Sequence, residues 1–586
     1  MTHKKIICRN VPDEINLPDS IHPVLKRVYA ARNIQSSKDI DYSLASLLPF
    51  NTLTGINDAV LLLQEALEKN NRILIVADFD ADGATSCALA IRGLTMMGVE
   101  DIVYVVPNRF EYGYGLTPEI VDVALDYDPG LLITVDNGIS SVDGVRRARE
   151  NGVKVLITDH HLPGDNLPDA NAIINPQLAG DKFQSKNLAG VGVIFYVLLA
   201  LRATLKEQGW FDKKGIVYPN LAQLLDIVAL GTVADVVPLD KNNRIMIAHG
   251  LKLIKQNRSI AGISAILNQA GKTLSTLTAS DLGFSIAPRL NAAGRLADMS
   301  LGIECLLTDD GQTAKEIAGR LDELNKERRL IQGEMQEQAL IVLENYLEKA
   351  SGEISQGICL YNPEWHQGVI GILAAKVKET FNRPVIAFAK ESDAKEGDAQ
   401  ERDAILKGSA RSINGVHIRD VLEDITRLYP DLILTFGGHA MAAGLTINES
   451  QFSTFSNCFD DVLKNHISLE DMQDVCVTDG ELSANDYSLK LASEIQSAGP
   501  WGQAFPEPVF EGQFKVLDKR IVGGNHLKLR LQLNDNDKVL DAIAFNITDE
   551  DWPPELEQIL TTYRLGVNDF RGNRQLQLFI EYLKPF

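Results

Sequence analysis

Asp78, Asp80 and Asp82 stand at alternate positions directly after the apolar run Ile73–Ala77. Gly83 follows, and Ala84–Gly93 reads as a helix. Carboxylates this close repel one another and raise one another's pKa unless a cation lies between them. Three further pieces carry similar groups: Asp136 after Leu131–Val135, Asp159-His160-His161 after Val153–Thr158, and Asp235, the lone charge between Leu230 and Leu239. Each has an ordinary reading alone. An Asp after a strand usually caps a helix or turn, and a pair of histidines is usually surface or core. Jointly they point to a metal site. Oxygen ligands with one or two imidazoles suit Mn2+ or Mg2+ better than structural Zn2+. The charge of four carboxylates (Asp78, Asp80, Asp136, Asp235) is cancelled by two divalent ions. Two ions about 3.5–4 Å apart activate a water and hold both the entering and the leaving oxygen at phosphorus. The implied chemistry is hydrolysis of a phosphoester or phosphoanhydride.

These residues need a scaffold that brings separate strand ends together. Ile73–Ala77, Asp101–Val106, Leu131–Val135 and Val153–Thr158, with an apolar segment at Ala172–Ile174, alternate with helical stretches. That alternation predicts an α/β fold with a parallel sheet, whose ligands bind at the carboxyl ends of the strands. The sheet is expected within a domain of residues 51–300, after an N-terminal extension over 1–50. The segment Asp281–Arg295 reads as a small-residue loop carrying Arg289 and Arg295. A charged connecting helix is expected over 301–350. A second α/β domain follows over 351–470. In it, 407–412, with Ser409 and Arg411, and 435–444, with His439, read as Gly/Ala-rich loops whose N–H groups can approach an anion. Lys390–Ala404 reads as a flexible charged insertion. Strand-like runs at Leu527–Leu533, Val539–Phe545 and Gln575–Ile580 predict a small β-barrel of the OB type over 471–586.

The bulk composition fits this plan. The chain of 586 residues is too long for one core. Its longest apolar run, Val191–Leu201, falls short of the roughly 20 residues that span a bilayer, so no membrane association is expected. No apolar stretch opens the sequence and the six cysteines show no CxxC spacing, so a reduced, cytoplasmic protein is expected. A net charge of −22 argues against a generally basic nucleic-acid coat but leaves room for a local basic groove.

The segments Asp78-Phe-Asp-Ala-Asp-Gly, Val135-Asp-Asn-Gly, Asp159-His-His and Val233-Ala-Asp resemble the four motifs of the DHH phosphoesterase superfamily. Gly437-Gly-His-Ala-Met-Ala-Ala-Gly resembles the signature of its accessory DHHA1 domain. With the β-rich C-terminus, the domain order is similar to that of the bacterial single-strand-specific 5′→3′ exonucleases in this superfamily. The resemblance implies that Asp78, Asp80, Asp136, His160 and Asp235 hold two metals, Mn2+ or Mg2+, with His161 near the first ion and Asp136 bridging. Asp82 and Asp159 would support from behind, Asp82 by capping the helix after Gly83 and Asp159 by orienting a histidine. No side chain stands out as general base.

The functional reading of Arg109, Arg289, Asn291, Arg295, Ser409, Arg411 and His439 is a phosphate clamp between the two α/β domains. The ordinary reading, salt bridges and loop packing, stays open beside it. Arginine suits a clamp because its planar fork meets two phosphate oxygens. By resemblance, Arg289 and Arg411 with Ser409 would hold the 5′-phosphate end. Phe110, Tyr112 and Tyr114 could stack on unpaired bases, and the barrel would track the strand. The expected activity is digestion of single-stranded DNA from the 5′ end to 5′-mononucleotides. By resemblance its context is repair and recombination, beside a helicase and a single-strand-binding protein. The alternatives are a phosphodiesterase acting on short oligonucleotides or cyclic dinucleotides and a non-catalytic DNA-binding relative.

Overall fold

The computed structural model describes residues 4–107, 115–349, 355–391, 403–468, 474–534, 537–545, 557–570 and 573–586. Arg109, Phe110, Tyr112 and Tyr114 lie outside the described residues, as do 392–402 of the charged insertion. The chain divides into two compact units, Ile7–Asp322 with Val477–Phe586, and Met1–Ile6 with Glu323–Cys476.

The first unit holds a five-stranded sheet of β1 (Ile73–Ala77), β2 (Ile102–Val105), β3 (Leu131–Val135), β4 (Lys154–Thr158) and β5 (Ala172–Ile174). The order is β2-β1-β3-β4-β5, and every pair is parallel. All residues of β1 and β3 are buried. Helices cover both faces of such a sheet, so its strands are mostly apolar instead of alternating. On one face Leu74, Val76, Leu132, Val155 and Ile157 share a core with Ile120, Val121, Ala124, Val145 and Ala148 of two flanking helices. Helices α1 (Ala81–Met96) and α2 (Gly190–Glu207) pack on each other and on the sheet. The run Val191–Leu201 lies in α2, buried in the core. Among the described residues no helix is long and apolar enough to cross a membrane.

The segment read as a loop over Asp281–Arg295 is helical. A π-helical turn, Leu282–Ile286, leads into helix α4 (Ala287–Leu296), which follows α3 (Leu225–Ala234) in the chain. Pro288 is tolerated because it falls in the first turn of α4, where its missing N–H has no α-helical partner inside that helix. Ala292, Ala293 and Gly294 serve close packing rather than a turn. A Cβ on Gly294 would sit 1.9 Å from the Phe79 carbonyl oxygen. Ser300–Leu307 is a short separate helix, and α5 begins at Gly311 and runs to Lys349.

The second unit has strands β6 (Ile358–Tyr361), β7 (Val385–Lys390), β8 (Ile405–Arg411), β9 (Thr435–Gly438) and β10 (Ala442–Asn448), ordered β9-β10-β8-β7-β6. The two segments read as Gly/Ala-rich loops are therefore strands, with 439–441 left as the hairpin turn. Their small residues obey a two-residue period: Leu406, Gly408 and Ala410 face a core whose space Phe388 already fills. A Cβ on Gly408 would come within 2.5 Å of the Phe388 ring. Ser409 and Arg411 consequently share the opposite face of β8.

The C-terminal strands β11 (Phe510–Val522), β12 (His526–Leu533), β13 (Val539–Phe545), β14 (Gln558–Phe570) and β15 (Asn573–Pro585) close a barrel in the order β11-β12-β13-β15-β14. Only the β13·β15 pair is parallel. The barrel belongs to the first unit, and the N-terminal segment helps fasten it there. Arg32 donates two hydrogen bonds to the buried Asp479 carboxylate, at 2.6 and 2.9 Å, and one to the Pro506 carbonyl. Tyr29, Trp501 and Phe505 stack beside that pair, and the Leu239 N–H bonds to the Gln503 carbonyl at 2.8 Å.

Candidate metal centre

The order β2-β1-β3-β4-β5 reverses its direction of growth between β1 and β3. A crevice forms there, at the carboxyl ends of the two strands, where chain segments leave toward opposite faces. Asp78 and Asp80 follow β1, and Asp136 follows β3. Parallel pairing brings Asp78 and Asp136 side by side, with the Asp78 N–H reaching the Val135 carbonyl. Asp159 and His160 follow β4, the next strand along, where the Asp136 N–H bonds to the Thr158 carbonyl.

Local backbone geometry then aims each side chain. Asp80 is the N-cap of α1: its Oδ1 accepts from the N–H groups of Asp82 and Gly83 at 2.8 and 3.0 Å. The expectation that Asp82 caps a helix starting after Gly83 is corrected here. The helix starts at Ala81, so Asp82 lies inside its first turn. Asp82 instead accepts from Gly190 and Val191 at 2.6 and 3.0 Å, across the N-terminus of α2. Asp136 takes a left-handed φ of 61°, which aspartate tolerates better than most residues. Asn137 locks the two strand ends by donating to the carbonyls of Val76 and Val135. A Cβ on Gly190 would lie 2.6 Å from the Asp136 Cβ, so residue 190 must be glycine for α2 to approach this closely.

The histidines are oriented by one carboxylate. Asp159 Oδ1 accepts from the backbone N–H of both His160 and His161, and it pairs with His161 Nδ1 at 2.7 Å. With a proton on Nδ1, Nε2 is the atom of His161 that could take a metal ion. His160 Nε2 lies 3.1 Å from Asp136 Oδ1, 3.4 Å from Asp235 Oδ2 and 4.0 Å from Asp82 Oδ2. Asp235 comes from another direction, as the C-cap of α3.

Among the described residues, three overlapping sets have their ligand atoms within 4.8 Å of one another: Asp78, Asp80 and Asp136; Asp136, His160 and His161; and Asp82, His160 and Asp235. Asp136 and His160 each belong to two sets. The electrostatics match an anionic cavity in need of cations. Burial, then the charges of Asp82 and Asp80, hold the Asp136 carboxyl well above the usual carboxylate range. Burial and the same two neighbours do so for Asp235. Asp82 is pushed up to about 7 by burial and Asp80, against the pull of the Gly190 and Val191 N–H groups. Burial also opposes ionisation of Asp159, but the hydrogen bond and charge of His161 and the charge of His160 outweigh it and hold that carboxyl low. His161 is raised to about 8, because Asp159 outweighs the effect of burial. Hard oxygen donors with two imidazoles fit Mn2+ or Mg2+.

The residues considered for a phosphate clamp are more varied. Asn291 Oδ1 accepts from the Ala81 N–H at 2.8 Å, so it helps seat α1 and the Asp80 carboxylate. Arg289 is buried, with Nε and Nη2 on Asp322 Oδ1 at 2.9 and 2.7 Å and Nη1 on the Ser285 carbonyl. Arg295 is half-buried in the last turn of α4. In the other unit Arg411 donates to Ser409 Oγ at 3.1 Å, and burial lowers its pKa. His439 sits at the β9–β10 turn, its N–H on the Ala442 carbonyl. The partners of Arg289 and Asn291, and the site-shaping roles of Asn137 and Gly190, were not readable from the sequence. Asn137 did carry a local signal, since it lies inside the Asp-Asn-Gly turn after β3.

Residues 72–232 match the model of the DHH family N-terminal domain, 355–465 that of the DHHA1 domain and 478–582 that of the RecJ OB domain. The chain is 49% identical to the single-stranded-DNA-specific exonuclease RecJ of Salmonella typhimurium, covering 98% of both proteins. It is 30% identical to the Bacillus subtilis RecJ, covering 94% of this chain and 65% of that one. The crystal structure of RecJ from Thermus thermophilus in complex with Mn2+ superposes with a TM-score of 0.77 at 29% identity, covering 96% of this chain and 76% of that chain. The Mg2+ complex of the same protein gives 0.72 at 26% identity, with 97% and 75% covered. Identity of 49% over nearly the whole length, the match to the RecJ OB domain and the shared fold agree: the chain belongs to the RecJ family.

Proposed function

We propose that this chain is a metal-dependent exonuclease that digests single-stranded DNA from its 5′ end and releases 5′-mononucleotides. The observation that carries the reading is the pair of ligand sets sharing Asp136 at the β1/β3 switch point, in a chain that also bears a closed barrel. Asp78, Asp80, Asp136, His160, His161 and Asp235 would hold two Mn2+ or Mg2+ ions, Asp136 being common to two of the candidate ligand sets. When bound, the ions supply water activation and charge stabilisation at phosphorus. Asp159 fixes the imidazole of His161, and Asp82 ties α1 to α2 so that Asp80 and Asp136 keep their separation.

The domains divide the work: the metal-bearing α/β domain cleaves, the DHHA1 domain receives the terminal phosphate through Ser409 and Arg411, and the barrel follows the unpaired strand. Arg109, Arg295 and His439 add contacts to the strand, while Arg289, buried on Asp322 and the Ser285 carbonyl, holds α4 in place. In the cell this activity belongs in the cytoplasm, downstream of a helicase and beside a single-strand-binding protein. The test is digestion of single-stranded oligonucleotides labelled at the 5′ or the 3′ end, with Mn2+ or Mg2+. Release of the 5′ label as a mononucleotide is expected. Shortening from the 3′ end alone, or equal cleavage of duplex, overturns the proposal. Turnover of dinucleotides alone would point instead to a short-oligonucleotide phosphodiesterase.

A further inference from the structure

Phe284 keeps 79% of its surface exposed, and Val236, the residue after Asp235, keeps 63%. Isolated exposed apolar side chains are ordinary. The position of these two is not. Phe284 lies in the π-helical turn Leu282–Ile286 that runs into α4. Pro288 accounts for that turn. It has no N–H to offer the Phe284 carbonyl four residues back, and its ring crowds that carbonyl, so the helix widens there. The widened turn is anchored at both ends of the metal centre. Beside Phe284, a Cβ on Gly283 would meet Val233 Cγ1 at 3.2 Å, two residues before Asp235. Further along, α4 reaches the β1 side, with Asn291 on the Ala81 N–H and Gly294 against the Phe79 carbonyl, between Asp78 and Asp80.

The helical segment 282–296 therefore runs along the rim between two sources of carboxylate ligands, with Phe284 on the Asp235 side. Val236 is on the same flank, held in solvent by a left-handed φ of 60°, a conformation that β-branched residues rarely adopt. Three residues on, Leu239 meets the loop before the barrel, through its N–H on the Gln503 carbonyl. An aromatic face in this place has one chemically matched occupant in a nuclease: an unstacked base of the strand entering the centre.

Resting on the proposed activity, we infer that Phe284 is a base-stacking platform that positions single-stranded DNA beside the metal centre, with Val236 extending the apolar flank. Stacking needs only the π-face that every base has, so the contact is indifferent to sequence.

The test uses the full-length chain with Mn2+ on 5′-phosphorylated oligothymidylate, normal or with one abasic site placed in turn at each of the first several positions. Phe284→Leu keeps an apolar side chain and removes the ring, while Phe284→Trp keeps a ring. Phe284→Leu is expected to raise KM by about 10-fold with kcat little changed, and Phe284→Trp to restore the wild-type KM. An abasic site at one particular position is expected to raise the wild-type KM and abolish its difference from Phe284→Leu. A purely structural role would produce no such position dependence. A wild-type KM in Phe284→Leu overturns the inference, as does an equal loss wherever the abasic site falls. If the wild-type chain itself leaves single-stranded DNA intact, the failure belongs to the proposed activity instead.

Discussion

At the carboxyl edge of the parallel sheet, Asp78, Asp82, Asp136 and Asp159 are all buried. On the barrel, by contrast, Lys528 and Arg530 stand outside while Leu527, Leu529 and Leu531 fill the interior. Both regions carry charge, and backbone period decides the difference. The sheet strands are mostly apolar and carry their carboxylates and imidazoles just past their carboxyl ends, so several strand ends concentrate charge at one dry point. The antiparallel barrel alternates along each strand and spreads charge over its outer face, where water screens it. Concentrated, desolvated charge suits catalysis by fixed electrostatics, whereas dispersed, hydrated charge suits contacts that many strands can share.

This contrast can be broken by mutation. Asp136→Ala removes the group common to two ligand sets, and it should lower hydrolysis by about 10³-fold or more, since metal-derived stabilisation amounts to several kcal/mol. Its binding of single-stranded DNA, measured in Ca2+, should persist. Retained hydrolysis would mean that the sheet edge is not the reactive centre. Next in size, Arg32→Ala leaves Asp479 buried without its bidentate partner, at a cost of about 3–5 kcal/mol. Thermal melting should show the loss, and digestion of long strands should suffer more than digestion of trinucleotides. Equal losses on both would mean that fastening the barrel does not matter for long substrates.

The third expectation concerns pH in chelated protein. His161 titrates at about 8 in the fold against an ordinary 6.5, so its stabilisation is complete below about 6.5 and lost as pH rises through 8. Asp82 titrates at about 7 against an ordinary 3.8. A raised carboxyl also stabilises the fold only at low pH, and its contribution disappears as pH rises toward and past 7. Asp159, held low, contributes above its ordinary range and loses that contribution only in acid. The melting temperature should therefore fall between about pH 5 and 8 without metal, and Mn2+ should remove most of the fall. A flat profile in EDTA would show that the carboxylates do not repel as the geometry requires. The smallest effect belongs to the barrel surface. Arg530→Ala should lower the salt dependence of DNA binding by about 0.7 in log–log slope, leaving kcat unchanged.

Much of the carboxyl edge of the parallel sheet was legible because its logic is local. Apolar runs of five residues ending in Asp or His predict a parallel sheet with charged strand ends, and the observed strands lie within a residue or two of the expected ones. Two errors came from reading composition without period. Gly408 and Ala410 suggested a loop, yet they are small because they lie under Phe388 in a strand. Ala292–Gly294 suggested a loop as well, yet these residues let a helix press against Phe79. Small residues mark close approach as readily as they mark turns, and only the neighbouring element tells which.

What the sequence determined by itself, then, is the set of strands, the carboxylates and imidazoles at their ends, and the metal chemistry these imply. The tertiary structure alone decided how the groups share the work. Asp80 and Asp82 are two residues apart, yet one caps its own helix and the other receives a helix that begins at residue 190. Arg289 is paired with Asp322, and Arg32 with Asp479. The reason is physical: side-chain period and strand ends are written into neighbouring residues, whereas the partner that satisfies a buried charge is chosen by packing between segments far apart in the chain.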